Sequence, residues 1–412
     1  MTMTRMNGAW ALALAAVLPL AACSDVLSLD VESPGRIADD DLNSPDAVPG
    51  LVAGMSFDLT QAIDGVLQQV LMAGGEVWHG GSYNWGTYPR GVLLQEPADW
   101  DGEFGTIQQA RWVAEQGLKR LEGVLEPAQY DRSALVARAY LLAGFANRLV
   151  GELQCTSTVD GGPEVPHTEH FTRADSLFGR AIAVGQAADQ SDIVNAGYGG
   201  RASVRAWLGN WDQAVADAAQ VPVAFEYAAV YSTAVGAVSN DFVFETTSRK
   251  EYTVFSTMWE GIIDDPRVPW IIVYDNSGQV SVGQDGETPF YQQRKLLTQD
   301  DDVALTKGTE MLVLRAEARL RADDLGGMTD LLNQARAHYG MDPMGVPGSV
   351  AEAWPILRRE RAATLWLEGR RLHDLRRWKA QGAPAADPFA ADRDTCFPIS
   401  REEQRVNPNL GG

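Results

Sequence analysis

Cysteine is scarce in this sequence, with only 3 among 412 residues. That count excludes the dense disulfide framework that stabilises many small secreted domains. Basic residues are also in deficit, because 34 Lys and Arg stand against 55 Asp and Glu, for a formal net charge of −21. A chain this acidic lacks the basic surface that nucleic acids and anionic lipid faces require. An acidic enzyme, a binding protein and a scaffold remain.

Apolar runs long enough to cross a membrane are missing too. The N-terminal run from Ala9 to Ala22 has fourteen residues, too few for a hydrocarbon core of roughly 30 Å. It follows Arg5 and ends in small residues, which is the pattern of a signal peptide. The tetrad Leu20-Ala21-Ala22-Cys23 resembles a bacterial lipobox, which implies cleavage before Cys23 and attachment of lipid, palmitate included, to Cys23. We therefore expect a lipoprotein signal peptide over 1–22 and a lipidated tether over 23–50.

The two remaining cysteines, Cys155 and Cys396, lie 241 positions apart. Outside the cytoplasm they could pair, and the loop-entropy model gives such a bridge on the order of 5 kcal/mol. The sequence supplies no distance between them. Two separate buried thiols are the simpler interpretation and the one we expect.

Helical periodicity dominates the rest of the chain. Apolar residues recur at three- and four-residue steps over Ala134–Leu153, and 171–187 repeats the pattern. The segment 201–219 predicts a helix, a tight turn at Gly209-Asn210 and a second helix, and it resembles a tetratricopeptide hairpin. Glu310–Tyr339 is a second candidate. These patterns predict a mainly α fold with tetratricopeptide-like hairpins near 134–222 and 307–340, within one large domain over 51–412.

The middle of the chain departs from that periodicity. Between 240 and 295 short apolar runs, Phe242–Phe244 and Trp270–Tyr274, predict β-strands, and Asn276-Ser277-Gly278 predicts a hairpin turn. We expect this segment to form a loop and β insertion in the helical domain.

A charged segment near the C-terminus carries the most specific signal. It contains Glu360-Arg361, then Glu368-Gly369-Arg370-Arg371, then Asp374-Leu375-Arg376-Arg377. Phe397-Pro398-Ile399-Ser400 and Asn407-Pro408-Asn409-Leu410 follow, and upstream stand Asp265-Pro266-Arg267 and Lys295. This set resembles the RagB/SusD family of outer-membrane nutrient-binding lipoproteins, with its signature region over 307–412.

The resemblance implies a function. Members of that family are lipid-anchored, surface-exposed substrate-binding proteins of the outer membrane. By resemblance, this chain would capture an oligosaccharide, or a peptide, and pass it to a SusC-like TonB-dependent transporter. No cofactor and no catalysis are implied.

The signature charges themselves predict a structural role. On one helix Asp374 would face Arg370 and Arg377, and Glu368 would face Arg371, at ion-pair spacings. We expect a fold-stabilising network rather than a ligand site. Pro355 should kink this last helix or delay its start to about Trp354.

Motifs for enzyme chemistry are not found. The sequence has no Gly-x-Ser-x-Gly, no His-Glu-x-x-His and no phosphate-binding loop. His167 and His170 flank Glu169, but a metal site needs further ligands, so we expect a solvated loop. The acid pair Asp264-Asp265 leaves a secreted hydrolase as a weaker hypothesis. We predict no catalytic residue and no metal site.

A ligand site is predicted where aromatic residues stand on loops. Flat aromatic rings with polar neighbours suit neutral glycans, and rings on loops have less reason to be core. The candidate ligand-binding residues are Trp78, Tyr83, Asn84, Trp85, Tyr88, Trp100, Trp259, Arg267 and Trp270. A tetratricopeptide-type lipoprotein scaffold in envelope assembly is the alternative, but it explains neither these rings nor the C-terminal signature.

Overall fold

The computed structural model describes residues 39–94, 98–383 and 388–410. The signal peptide, Cys23 and most of the expected tether lie outside these residues. Asp39–Asn43 forms a short 3-10 helix, and from Ser44 onward the chain forms one unit. A second short 3-10 helix, Pro45–Ala47, leads into the first α-helix at Val48, three residues before the expected end of the tether.

Helices make up most of that unit, as the periodicity predicts. None of the helices in the described residues is both long and apolar enough to cross a membrane. In chain order the helices are α1 Val48–Ala73, α2 Ala98–Val124, α3 Pro127–Tyr130, α4 Ala134–Leu153, α5 Thr168–Ala187, α6 Ser191–Trp207, α7 Trp211–Ala218, α8 Asp241–Thr247, α9 Gly308–Arg321, α10 Leu325–His338, α11 Val350–Thr364, α12 Arg371–Ala380 and α13 Arg401–Val406.

Helices α4 and α5 pack tightly against each other, and two glycines of α4 allow this tight packing. Ser133 caps α4 by accepting a hydrogen bond from the Val136 N–H. Gly144 and Gly151 lie on the face of α4 toward α5, where a Cβ would meet the rings of Phe178 and Phe171 at 2.7 Å. These two rings fill the space that the missing side chains leave, so α5 packs almost onto the α4 backbone.

Both predicted hairpins are present. Helices α6 and α7 meet at a turn in which Gly209 has a φ of 77°, a left-handed conformation that favours glycine. Helices α9 and α10 are joined at Asp323-Asp324, and Asp324 caps α10 through the Gly327 N–H at 2.8 Å. The prediction of a mainly α, tetratricopeptide-like architecture is confirmed.

Strands are short and pair two by two, always antiparallel. They are β1 Trp78–His79, β2 Thr156–Ser157, β3 Val165–Pro166, β4 Glu226–Ala229, β5 Tyr252–Thr253, β6 Trp270–Ile272, β7 Tyr291–Gln293 and β8 Val303–Lys307. The pairs are β1–β5, β2–β3, β4–β8 and β6–β7. The predicted strand at 270–274 is therefore present in part, and the Asn276–Gly278 turn joins bridge partners Tyr274 and Val280.

The predicted strand at Phe242–Phe244 is wrong. These residues lie in α8, which begins at Asp241 and is capped by Asn240, whose side chain accepts from the Val243 N–H. A run of three apolar residues does not distinguish a buried strand from one turn of a buried helix. The side chain of Asn240 caps the N-terminus of this segment and so favours the helix.

Cys155 and Cys396 form a disulfide, so the expectation of two separate thiols is wrong. Cys155 follows α4, and its N–H donates to the Phe397 carbonyl at 2.8 Å, while the Phe397 N–H donates to Leu153 at 2.7 Å. These backbone bonds place the C-terminal tail beside the end of α4. The bridge then joins segments that are distant in the chain and adjacent in space.

The signature charges form a buried network, as predicted, but on a broken helix. The helix ends at Thr364 and resumes at Arg371, with Leu367 and Gly369 at φ values of 60° and 65°. Helical spacing therefore does not hold between Glu368 and Arg371, and that expected pair is wrong. Arg370 does cap α12, and its carbonyl accepts from the Asp374 N–H at 3.1 Å, but its guanidinium pairs with other acids, so the expected Asp374–Arg370 ion pair is wrong too.

The partners of the signature charges lie on other elements instead. Arg370 pairs with Glu152 at 3.0 Å, and Arg377 forms two 2.7 Å bonds to Glu317. Asp374 does contact Arg377, at 3.2 Å. A surplus of basic residues in 358–379 is thus neutralised by acids of α4 and α9.

The delayed helix start and the solvated histidine loop are both wrong. Helix α11 starts at Val350, capped by Ser349, and Pro355 lies inside it on an exposed position, so of the two expected effects of this proline the delay does not occur. His167 and His170 are not in a solvated loop. His170 is buried, with Nδ1 near Asn147 Oδ1 at 3.1 Å and Nε2 near Ser157 Oγ at 2.9 Å.

Candidate functional site

The aromatic loop that follows α1 is fixed to the middle segment by β1 and β5. Trp78 pairs with Thr253 and His79 with Tyr252, and the Gly80 N–H donates to the Glu251 carbonyl at 2.9 Å. A Cβ at Gly81 would collide with the Glu251 side chain, so this approach requires glycine.

Glu251 anchors the next turn of this loop. Its fully buried carboxylate accepts from the Ser82 N–H at 2.8 Å and from the Ser82 hydroxyl at 3.1 Å. Arg249 lies 3.1 Å from the same carboxylate and balances its charge. A buried carboxylate with these partners is fully satisfied, and it holds the loop in one position.

Tyr83 and Trp85 form the exposed edge of an aromatic stack. Their ring centroids lie 5.0 Å apart, and Trp85 stacks on Tyr252 at 6.5 Å with an interplanar angle of 12°. Tyr252 is buried, and its hydroxyl donates to Gln68 Oε1 at 2.5 Å. Tyr83 and Trp85 are half-buried, whereas Asn84 between them is exposed. The stack thus runs from the core to the surface.

Charged groups border this stack. The Arg249 guanidinium lies 4.8 Å from the Tyr83 ring centroid and donates to the Tyr83 hydroxyl at 2.6 Å. Glu245 accepts from the same hydroxyl at 3.3 Å. Burial raises the pKa of Glu245 above its ordinary value, against the opposing charge of Arg249. The edge therefore combines ring faces with donors and acceptors, the mixture that sugars require.

A second aromatic pair lies on the β6–β7 hairpin. Trp270 and Tyr291 are stacked, with centroids 5.3 Å apart and an interplanar angle of 9°. The Trp270 indole N–H donates to the Ile262 carbonyl at 2.8 Å, which fixes the ring. Both side chains are half-buried. The Val254 N–H donates to the Tyr291 carbonyl at 2.9 Å, so β5 links this pair to the Trp85 stack.

Three of the predicted ligand residues are core residues in the structure. Tyr88, Trp100 and Trp259 are 1 %, 1 % and 0 % exposed. Trp100 stacks on Phe397 at 4.3 Å and donates to the Pro398 carbonyl at 2.9 Å. Their rings have no face available to a ligand in this conformation. A predicted position on a loop was therefore not enough to distinguish buried aromatic side chains from exposed ones.

Arg267 is a fourth predicted ligand-binding residue whose side chain is buried in the structure. It is buried, with its guanidinium 2.7 Å from both Asp265 and Glu360. Burial alone would lower its pKa, but these two carboxylates raise it above the ordinary value. Arg267 thus fastens the middle segment to α11. Of the nine predicted residues, the structure leaves Asn84 exposed and Trp78, Tyr83, Trp85 and Trp270 partly exposed.

Sequence reasoning missed several members of the site. Arg249, Glu251, Tyr252 and Tyr291 all contact a predicted ring or hold its loop. Tyr252 and Tyr291 are aromatic residues of the same middle segment that supplied Trp259 and Trp270. The same rule, aromatic residues in this segment, could therefore have selected them as candidates. Glu251 and Arg249 gave none, because a buried carboxylate cannot be distinguished from a solvated one by sequence.

The comparisons with known proteins concern both sequence and fold. The model of the SusD family matches residues 292–409, which include the signature charges and the tail. This C-terminal part of the chain is therefore similar to the SusD family.

Solved SusD structures share the fold over nearly their whole length. A SusD superfamily protein from Parabacteroides distasonis matches with a TM-score of 0.69 and 13 % identity, over 91 % of this chain and 99 % of that one. A SusD-like carbohydrate binding protein from Bacteroides vulgatus matches with a TM-score of 0.65 and 12 % identity, over 89 % and 97 % of the two chains. No curated protein matches this chain.

Proposed function

We propose that this chain is a member of the SusD family and a substrate-binding protein that captures an oligosaccharide, or a peptide, without chemical turnover. It would be anchored by lipid on Cys23 to the outer membrane, exposed at the cell surface, and would pass its ligand to a SusC-like TonB-dependent transporter. The family match and the carbohydrate-binding relative from Bacteroides vulgatus support the ligand class. The lipobox-like tetrad supports the anchor.

One observation supports capture of a sugar at the loop after α1. Tyr83 and Trp85 present half-buried rings beside the exposed Asn84, on a loop that Glu251 fixes. Ring faces accept the C–H face of a sugar, and the neighbouring amide and guanidinium hydrogen-bond its hydroxyls. Because the loop is already ordered, little conformational entropy is lost on binding.

The direct test is a glycan and peptide array probed with the full-length protein in detergent. We expect binding to a set of oligosaccharides that Trp85→Ala weakens by about tenfold or more, since loss of one anchoring aromatic costs on the order of 2 kcal/mol. Trp112→Ala is the matched control, because Trp112 is 50 % exposed on α2 and belongs to no part of this site. If both substitutions change binding equally, Trp85 is not part of the binding site. If the protein binds nothing on the array, the scaffold alternative is favoured.

The transporter partnership has a separate test. Detergent extracts should yield the protein together with a β-barrel transporter, through an interface well above 1,000 Å² of buried surface if the complex is stable. A protein that is recovered only as a monomer under gentle extraction contradicts the partnership and leaves sugar capture unaffected.

A further inference from the structure

One side of the small sheet in the middle segment is apolar. Beyond the β6–β7 pairs, a bridge joins Tyr274 to Val280, and another joins Val282 to Pro289. Residues that pair directly in antiparallel strands point to the same side of a sheet, and so do residues two positions apart in one strand. This pairing gives one continuous surface, the apolar sheet face, formed by Trp270, Ile272, Tyr274, Val280, Val282 and Tyr291.

Solvent reaches most of the apolar sheet face. Tyr274 is 59 % exposed, and Ile272, Val280 and Val282 are 36 %, 37 % and 39 % exposed. The opposite side of the sheet points to the body of the protein, since Phe290 is buried there. Neighbouring exposed apolar side chains on a folded domain are typical of a surface that another molecule covers.

The apolar sheet face is ordered before any partner binds. On the buried side of the sheet, the Lys250 ammonium donates to the Ser281 hydroxyl at 2.9 Å. The Thr253 hydroxyl donates to the Pro289 carbonyl at 2.9 Å and accepts from the Tyr291 N–H at 2.8 Å. These bonds fix all three strand segments to the body, so a partner loses little free energy in ordering them.

Charges around the apolar sheet face favour a basic partner. Residues 268–293 contain no Lys or Arg, and their three acids, Asp275, Asp285 and Glu287, are exposed in the two turns that connect the strand segments. Arg294, the next basic residue, lines a separate cavity beside β8. A second copy of this chain would bring the same acids against each other, and anionic lipid would be repelled as well. A surface with Lys or Arg around an apolar centre complements both the acids and the face.

The side chains of the apolar sheet face favour a protein over a sugar. Beside Trp270 and Tyr291 it carries Ile272, Val280 and Val282, whose branched aliphatic groups offer neither a flat ring nor a hydrogen bond. Sugar sites place polar groups around their rings. Protein interfaces instead combine an apolar centre with a polar border, which is the arrangement found here.

The apolar sheet face also adjoins the candidate ligand site. Tyr291 pairs directly with Ile272, and its stack with Trp270 forms one end of the face. Through the bond from the Val254 N–H, the same Tyr291 is linked to the strand that carries the Trp85 stack. A protein that covers the face therefore lies beside a ligand held by these rings, in the position that a recipient of the ligand needs.

We infer that the apolar sheet face is the surface on which the transporter docks, and that the transporter meets it with an apolar patch bordered by Lys or Arg. The inference rests on the proposed function, which supplies the transporter. It adds the part of this chain that the transporter contacts and the chemistry of the surface that contacts it.

Purification of the tagged full-length protein, in mild detergent from the outer membrane of the cells that make it, tests the inference. Val282→Asp should lower the amount of β-barrel transporter recovered by about tenfold or more, because the interface would bury a carboxylate. Val346→Asp is the matched control and should leave recovery unchanged, since Val346 is 60 % exposed in the connection between α10 and α11. Glu287→Lys should lower recovery several-fold, because it sets a cation against the basic border of the partner.

A photo-crosslinking amino acid in place of Tyr274 identifies what covers the face. We expect a covalent adduct with the transporter, on a peptide that contains Lys or Arg beside apolar residues. An adduct with a second copy of this chain, or with lipid, overturns the inference. Thermal unfolding of each variant, measured in parallel, separates loss of the interface from loss of the fold.

The outcomes distinguish this inference from the proposed function. Equal recovery of the transporter with the parent, Val282→Asp and Val346→Asp would show that docking occurs elsewhere, and the proposed function would stand. A parent protein that recovers no transporter contradicts both the partnership and this inference. If Tyr274→Ala weakens oligosaccharide binding as much as Trp85→Ala does, the face belongs to the sugar site and the inference is wrong.

Discussion

Glu76 accepts a hydrogen bond at 2.8 Å from the backbone N–H of Leu367, a residue 291 positions later in the chain. Leu367 has a φ of 60°, a conformation that costs a non-glycine residue free energy. Glu76 lies just after α1, and Leu367 lies in the break between α11 and α12. This bond therefore holds the turn on which Glu368 and Arg370 depend.

Glu76 should make stability depend on pH. Burial raises its pKa to about 7, above an ordinary value of 4.5. The unfolded chain then loses this proton first, so the contribution of Glu76 to the free energy of unfolding falls as pH rises from about 4.5 to 7 and stays constant above it. Buried His167, His170 and His373, whose pKa values burial lowers, contribute in the opposite direction over part of this window. Glu76→Gln keeps an acceptor for Leu367 and removes the ionisation, so the stability of the variant should fall less, or rise more, with pH over this window than that of the parent. The contribution is about 3 kcal/mol at most, measurable by urea unfolding between pH 4.5 and 8.

Asp64 supplies the comparison for that experiment. Burial and the nearby Asp241 raise its pKa to about 7 as well. Asp64→Asn should therefore remove a second contribution of the same sign, and in the double variant the two changes in slope should add. A Glu76→Gln protein with the full slope of the parent would contradict the assignment to Glu76.

Glu317 should contribute in the opposite direction. It is fully buried, and although burial alone raises its pKa, Arg377 and Arg321 lower it to about 2. A lowered pKa adds stability that is present above 4.5 and is lost as pH falls toward 2. Glu317→Gln removes the charge and replaces one of the two carboxylate acceptors of Arg377 with an amide donor, and we expect a loss of about 3–5 kcal/mol at pH 7. Glu402→Gln, in an exposed pair with Arg405, should change the stability little.

The Cys155–Cys396 disulfide should make a large contribution to the free energy of unfolding. It closes a separation of 241 residues, so in the loop-entropy model its removal costs on the order of 5 kcal/mol. We expect a Cys155→Ser, Cys396→Ser protein to unfold at lower urea concentration than the oxidised parent. The reduced parent should match the double variant. Equal midpoints for oxidised and reduced protein would mean that the backbone bonds to Phe397 suffice without the bridge.

Sequence patterns predicted the helices and turns, because these are stabilised by interactions between residues that are close in the chain. The periodicity of α4 and the Gly209 turn gave helices and hairpins at the right places, since each depends on residues a few positions apart. The Glu368 partners could not be predicted, because Lys295 and Lys307 reach it only after the chain folds back. The same holds for Trp100, which a helix start and the tail bury together, and for the Cys155–Cys396 pair.

Packing between α4 and α5 gives a prediction with an internal control. Gly144→Ala would place a Cβ 2.7 Å from the Phe178 ring, a contact that the ring must move to relieve. Overpacking of this kind costs about 1–3 kcal/mol. Gly123→Ala, in α2 with no atom within 4 Å of the added Cβ, should instead stabilise the protein by about 0.5–1 kcal/mol. Opposite shifts in the urea midpoint would confirm this interpretation, and a shared direction would contradict it.

The loop after α1 should lose its order when Glu251 loses its charge. Glu251→Gln replaces an acceptor of the Ser82 N–H and hydroxyl with an amide, and it leaves Arg249 with Glu245 alone as a counter-ion. We expect faster amide hydrogen exchange over 80–88, while α4 and α5 keep the protection of the parent, because their packing does not involve this loop. Oligosaccharide affinity should fall with it, since the ligand would then have to order the loop that carries Tyr83 and Trp85. Reduced affinity with unchanged exchange over 80–88 would instead mean that Glu251 contacts the ligand itself.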